Sequence, residues 1–206
     1  MIRTAVIIGA LLSLALIGCC PTTSLHPLGT PGEATFDHRL VGTWYGGSSE
    51  NDGAFLHFGK GLANQTQVLV VKHKSNGLMD QVSFPVLINR LQKQYYINID
   101  LQQLRIRETS GYNGFIIVKY HFPDADTLVF SDMDETRLTN AINHHQVAGE
   151  ITYEEETPPK AGEKTPPGKI DCVRLTDTSE NLRKFLNSKE AEQLFTPYMT
   201  LKRVKP

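Results

Sequence analysis

The sequence predicts a mainly β fold: an antiparallel meander that closes into a barrel, joined by a C-terminal α-helix. Three observations predict it. Seven short segments between residues 40 and 132 carry strand-like alternation or apolar runs. The stretches between them hold Gly, Asn and Asp, the residues that turn a chain tightly. One segment near the end, 178–195, has helical spacing of its apolar residues.

The strands follow in order. LVGTWYGG (40–47) opens the meander, and AFLHFGK (54–60) puts Ala54, Leu56 and Phe58 on one face. TQVLVVKH (66–73) is apolar on both faces. QVSFPVLIN (81–89) aligns Val82, Phe84, Val86 and Ile88, with Pro85 marking an edge or a bulge. QYYINIDL (94–101) sets Tyr95, Ile97, Ile99 and Leu101 against Tyr96, Asn98 and Asp100. GFIIVKYHF (114–122) stacks Ile116, Val118, Tyr120 and Phe122, and DTLVFSD (126–132) completes the run. Seven strands joined by short turns make a barrel or a sandwich.

The pattern then changes. Residues 134–145 read as a short helix with Leu138, Ala141 and Ile142 inward, and QVAGEITY and KIDCVRLTD as two more strands. Between these lies 153–169, with four prolines, four glutamates and three lysines, a composition unable to bury a core and expected to form a disordered loop. In the 178–195 helix, Asp177 or Thr178 is the cap and Leu182, Phe185 and Leu186 share a face. YMTLKRV (198–204) ends the chain as a strand.

The chain has 206 residues, 21 Lys plus Arg and 22 Asp plus Glu. That balance offers no basic face for a nucleic-acid partner, so none is expected. No apolar run reaches the eighteen or more residues of a membrane-spanning helix.

The first twenty residues are the most informative. Arg3 precedes a thirteen-residue, mostly apolar stretch from Ala5 to Ile17. As a helix this is about 20 Å long, against about 30 Å of bilayer hydrocarbon. A cationic start, a short apolar middle and a small-residue exit make residues 1–18 a secretory signal peptide. The exit, Leu16-Ile17-Gly18-Cys19, resembles the lipobox of bacterial lipoproteins. The resemblance implies cleavage after Gly18 and a diacylglyceryl thioether, with palmitate-like acyl chains, on the Cys19 sulfur. Two or more chains are needed for a lasting hold, since each buried methylene contributes about 0.8 kcal/mol. The residue after Cys19 is not Asp, which in an enterobacterium-like host resembles the pattern sent to the outer membrane. Residues 19–37 are expected to be a flexible tether about 25 Å long, and 38–206 the barrel-like domain.

Cys20 and Cys172 remain. In an oxidising compartment they could pair, but Cys172 also fits a small buried thiol in a strand, and spacing alone does not decide.

LVGTWYG resembles the Gly-x-Trp signature that opens the first barrel strand of lipocalins and other calycins, with Gly42 and Trp44 at the matching positions. The resemblance implies a calycin-like barrel whose closed end is plugged by the Trp, with a late Arg over its ring. Arg174 and Arg203 both qualify. The family's second motif, Thr-Asp-Tyr, is absent.

Catalysis has little support. LVFSDMDETRL (128–138) resembles the Asp-x-Asp motif of haloacid-dehalogenase-type phosphatases through Asp132 and Asp134. That fold needs alternating strands and helices after the motif, so the segment reads better as a strand running into a capped helix. The seven His are scattered, and His144 and His145 diverge by about 100° on a helix. No catalytic residue, cofactor site or metal site is expected, and no enzyme. The sequence points to a membrane-anchored lipoprotein that binds a small apolar ligand or lipid, or else serves as a structural or protein-interaction module of the cell envelope.

Overall fold

The computed structural model describes residues 22–47, 53–62, 64–73, 78–104, 113–153 and 170–205. The signal peptide, Cys19, Cys20 and the loop residues 154–169 lie outside the described residues.

The strands are β1 (Thr23–Ser24), β2 (Gly42–Gly46), β3 (Ala54–Lys60), β4 (Thr66–His73), β5 (Met79–Leu91), β6 (Gln94–Asp100), β7 (Phe115–Asp124), β8 (Thr127–Met133), β9 (Gly149–Tyr153), β10 (Ile170–Leu175) and β11 (Phe195–Arg203). Helix α1 is Glu135–Asn143 and α2 is Ser179–Leu186. Strands β2 through β8 pair antiparallel in sequence order, β8 pairs with β11, and β11 returns to β2, so eight strands close into a barrel. All seven strands of the expected meander are present. The eighth arrives only after an insertion of two strands and two helices.

Alternation decides which residues fill the barrel. Register pairs Trp44 with Leu56, Leu56 with Val70, Val86 with Ile99 and Ile97 with Val118, so these side chains share the inner face. They belong to one buried core with Phe58, Phe84, Tyr120, Phe130 and Leu201. Residues 79–85 of β5 run beyond the end of β6 and pair with β4 alone, so Pro85 lies where one side of its strand is an edge.

A second core covers part of the outer wall. Leu91, Tyr96, Ile117 and Met133 point outward from β5 to β8 and meet Leu138 and Ala141 of α1, Val173 and Leu175 of β10, and Leu182, Phe185 and Leu186 of α2. This is why β6 and β7 carry Tyr96 and Ile117 on the face turned away from the barrel interior. Burial pushes the Tyr96 hydroxyl up to about 12.

Both helices are capped at their starts. The Asp134 carboxylate accepts from the Arg137 N–H at 2.9 Å, and the Thr178 hydroxyl accepts from the Asn181 N–H at 3.3 Å. Of the two cap candidates, Thr178 serves α2, while Asp177 accepts from the Ala148, Thr178 and Asn181 nitrogens. The helix expected over 178–195 ends at Leu186. After the 182/185/186 stripe the next buried apolar residues are Ala191 and Leu194, a spacing that leaves the helical face, and separate turns carry them into the second core.

The expected tether also differs. From Thr22 onward the segment is part of the body. Thr23 and Ser24 form β1 between β7 and β10, and Leu28 is fully buried. The Leu28 N–H donates to the Asn98 side-chain oxygen at 2.7 Å, and the Thr35 N–H donates to the Ile88 carbonyl at 2.8 Å. Pro, Gly and Thr conceal this in the sequence, because the contacts are single residues without a period.

Candidate functional site

One end of the barrel is built around Trp44. Its ring is fully buried, and its indole N–H donates to the Leu40 carbonyl at 2.8 Å. Arg203, the last residue of β11, lies over the ring with its guanidinium carbon 4.1 Å from the centroid. Strand pairing sets this up, since Arg203 is the register partner of Trp44. The guanidinium donates to the Val41 carbonyl at 2.9 Å, the Arg39 carbonyl at 2.6 Å and the Ala125 carbonyl at 3.2 Å. Three chain segments are thus tied across one aromatic face. Gly42 has φ +124°, and a Cβ there would stand 3.1 Å from the Arg203 Nη1. Arg174, the other candidate, sits on β10 and donates to the Asn113 carbonyl.

Beside Trp44 and Arg203 lies a cluster with no sequence signal. Arg39 grips Asp37 through two hydrogen bonds of 2.9 and 2.7 Å, and the Tyr120 hydroxyl donates to the same carboxylate at 3.0 Å. The Arg39 guanidinium is 4.6 Å from the Tyr95 ring centroid and 4.8 Å from that of Phe122. Burial pushes the Asp37 carboxyl up, but the Arg39 and Tyr120 hydrogen bonds outweigh it and hold the group below its ordinary range. Burial, with the Asp37 charge beside it, pushes the Tyr120 hydroxyl far up. The cluster joins the 37–39 turn to the barrel interior. Its acceptor and donor are committed to each other, which suits a structural lock.

The barrel interior beyond Trp44 is packed among the described residues. Phe84, Ile97, Ile99, Ile116, Val118 and Tyr120, the bulky inward candidates of the sequence, all lie in the barrel core. A void of about 10 Å³ lies among Phe58, Val68, Phe84, Val86, Ile97, Ile99, Val118 and Phe130. That is space for about one water molecule in wholly apolar surroundings, whereas small-molecule sites occupy about 300–1,000 Å³.

At the other end of the barrel, β8 brings Asp132 to the inner face, two residues beyond Phe130 and opposite Thr196. Burial pushes its carboxyl up to about 6, against a 2.8 Å hydrogen bond from the Met133 N–H that pulls the other way. The Tyr198 hydroxyl is pushed up by burial and by the Asp132 charge. Asp134 meanwhile caps α1. The two carboxylates of the Asp-x-Asp pattern therefore serve different places, a barrel mouth and a helix start.

Among the described residues no group of three His, Cys, Asp or Glu converges to hold a metal ion. His144 lies at the end of α1 with its ring Nδ1 2.7 Å from the Asn140 carbonyl. No helix among the described residues is long and apolar enough to cross a membrane. Gly42 and Trp44, singled out in the sequence, both lie at the end of the barrel where Arg203 covers the indole. The Asp37–Arg39–Tyr120 lock was missed, because an Asp two residues before an Arg is common in any chain, and Asp132 was singled out only through the Asp-x-Asp pattern. Compared with known proteins, the chain matches no family model, no curated protein and no solved structure.

Proposed function

We propose that this chain is a lipid-anchored bacterial lipoprotein with a calycin-like barrel, working without catalysis as a structural or protein-interaction module of the cell envelope. The lipobox at Leu16 to Cys19 supports the anchor. The calycin-like reading is supported by the Gly42-x-Trp44 opening, the eight-strand barrel and the late Arg203 over the Trp44 ring. The packed interior favours the module over the ligand carrier. A void of about 10 Å³ has no room for an acyl chain.

The test uses the body from Thr22 onward, because a start at residue 38, where the expected tether ends, would remove β1 and Leu28. Native mass spectrometry should find it without a lipid-sized companion, and titration with a hydrophobic fluorescent probe should show no saturable uptake. A stoichiometric lipid-sized mass would instead establish a carrier whose barrel opens around its ligand.

A further inference from the structure

The β3–β4, β5–β6 and β7–β8 connections fall at the Trp44 end of the barrel, together with the 37–41 segment and the end of β11. Residues 36–43, 58–66, 88–96, 121–128 and 201–205 bring seven Lys and Arg to this end against three Asp, in a chain whose formal charge is −1. Whole-chain balance therefore conceals a basic end. The three acids are already engaged. Asp37 is held by Arg39, Asp126 by Lys205 at 2.7 Å, and Asp124 has Lys202 as its neighbouring charge. Arg203 spends its guanidinium on three carbonyls. Lys60, Arg90 and Lys93 are exposed and meet no carboxylate among the described residues. The Arg90 Nε donates to the Gln92 carbonyl at 3.0 Å, and its guanidinium carbon is 5.5 Å from the Tyr95 ring centroid, so the fork is held at the rim on the ring that Arg39 also covers. Lys60 pairs with Thr66, Thr66 with Val86, and Arg90 lies four residues on, which separates the Lys60 and Arg90 Cα atoms by about 16 Å, the length of about five residues of extended chain. The β3–β4 turn projects beside this span. It is closed by the Gly61 N–H on the Gln65 carbonyl and the Gln65 N–H on the Leu62 carbonyl, both at 2.9 Å, and it presents Leu62 with 86% of its surface exposed.

We propose that this end docks an acidic, partly apolar segment of a partner protein. Its carboxylates pair with Arg90, Lys60 and Lys93, the Arg90 fork taking one of them bidentately, and its apolar side chain covers Leu62. The inference deepens the protein-interaction reading and rests on it. Charge complementarity selects an anionic partner, and Leu62 selects among anionic partners. A phosphate polymer would satisfy the cations and leave Leu62 in water, whereas a peptide offers carboxylates and an apolar group within one short stretch. The bilayer that holds the anchor lies at the other end. Ser24 is opposite Phe115, the first residue of β7, and Asp124 ends β7 at the basic end, about 30 Å further along the strand. Residues 19–21 span about 10 Å, which leaves the basic end turned outward.

The test titrates the full chain, in non-ionic detergent, into a fluorescein-labelled peptide of sequence Glu-Glu-Leu-Glu-Glu and reads anisotropy. Binding should saturate at about 50 mM salt and weaken about tenfold by about 300 mM, as screening requires. Arg90→Glu and Lys93→Glu should each weaken it about tenfold and Leu62→Ser about threefold, with melting curves confirming that each variant is folded. Lys189→Glu, an exposed cation in the turns after α2, should leave it unchanged. Absence of saturable binding overturns the proposal, as does an equal loss in Lys189→Glu or an unchanged affinity in Leu62→Ser. A second titration uses the chain in phosphatidylcholine vesicles with and without one-third phosphatidylglycerol. Peptide binding should persist in both, and its loss on adding phosphatidylglycerol would make the protein's own bilayer the occupant and overturn the proposal. Flotation with the vesicles reads the anchor separately, and peptide binding in detergent does not depend on it.

Discussion

The Arg203 guanidinium sits 4.1 Å above the Trp44 ring, joining the last barrel strand to the first. The contact combines a cation–π attraction with three carbonyl acceptors, so neither residue can be removed alone without leaving partners unsatisfied. Trp44→Ala should destabilise the fold by about 3–5 kcal/mol, and Arg203→Ala by about 2–3 kcal/mol, in urea denaturation. A double-mutant cycle should return a coupling of about 1–2 kcal/mol. Additive effects would mean that the two residues act independently.

Gly42 is the third member of that arrangement. Its φ of +124° disfavours any side chain, and an added methyl would press on the Arg203 guanidinium. Gly42→Ala should cost about 1–3 kcal/mol. Gly59, where an added Cβ meets nothing within 4 Å and no positive φ is present, is the matched control, and Gly59→Ala should stay within about 0.5 kcal/mol.

Asp132 predicts a pH dependence. Burial raises its carboxyl from 3.8 to about 6, so between those values the folded protein binds a proton that the unfolded chain has released. Stability should therefore fall as pH rises from about 4 to about 6, by about 2–3 kcal/mol. Asp132→Asn should remove that slope and gain a similar amount at pH 7, measured by denaturation across the pH range. Asp37 has the opposite sign. Its lowered carboxyl stabilises the fold above the ordinary Asp range, and that contribution is lost only as pH falls below it. An unchanged slope in Asp132→Asn would show that its carboxyl stays hydrated.

Asn98 tests the docking of the N-terminal segment. It accepts from the Leu28 N–H at 2.7 Å and donates to the Leu87 carbonyl at 3.2 Å and the Asn89 side chain at 2.9 Å. Asn98→Leu should cost about 1–3 kcal/mol. It should also speed hydrogen exchange at Leu28 and Leu25 more than in the barrel strands. Uniform acceleration throughout would show that the segment does not open separately.

The barrel was legible because its strands obey a period of two that a packed interior enforces. Val82, Phe84, Val86 and Ile88, or Ile116, Val118 and Tyr120, share a face in the sequence and share the inner wall in the fold. Trp44 stood out in the sequence, but the choice between its two Arg candidates was not legible, since the register of β11 against β2 is set across about 150 intervening residues. Arg203 and Arg174 carry the same charge and differ only in which strand neighbours the first. Residues 22–37 were illegible for another reason. Their burial rests on Leu28, Thr23 and Ser24 as separate contacts, and on Asn98, a polar residue that gives no hint of its partner. Long-range polar pairs such as Asp37 with Tyr120 leave no local trace.

The intact mass of the natural chain extracted from membranes decides whether Cys19 carries a lipid anchor. The expected mature protein begins at Cys19, is heavier than its 188 residues by at least a diacylglyceryl group, and in Cys19→Ser is released into the soluble fraction unmodified at that position. A chain that begins at Met1 with an unaltered Cys19, and stays in the membrane when that cysteine is replaced, would contradict it.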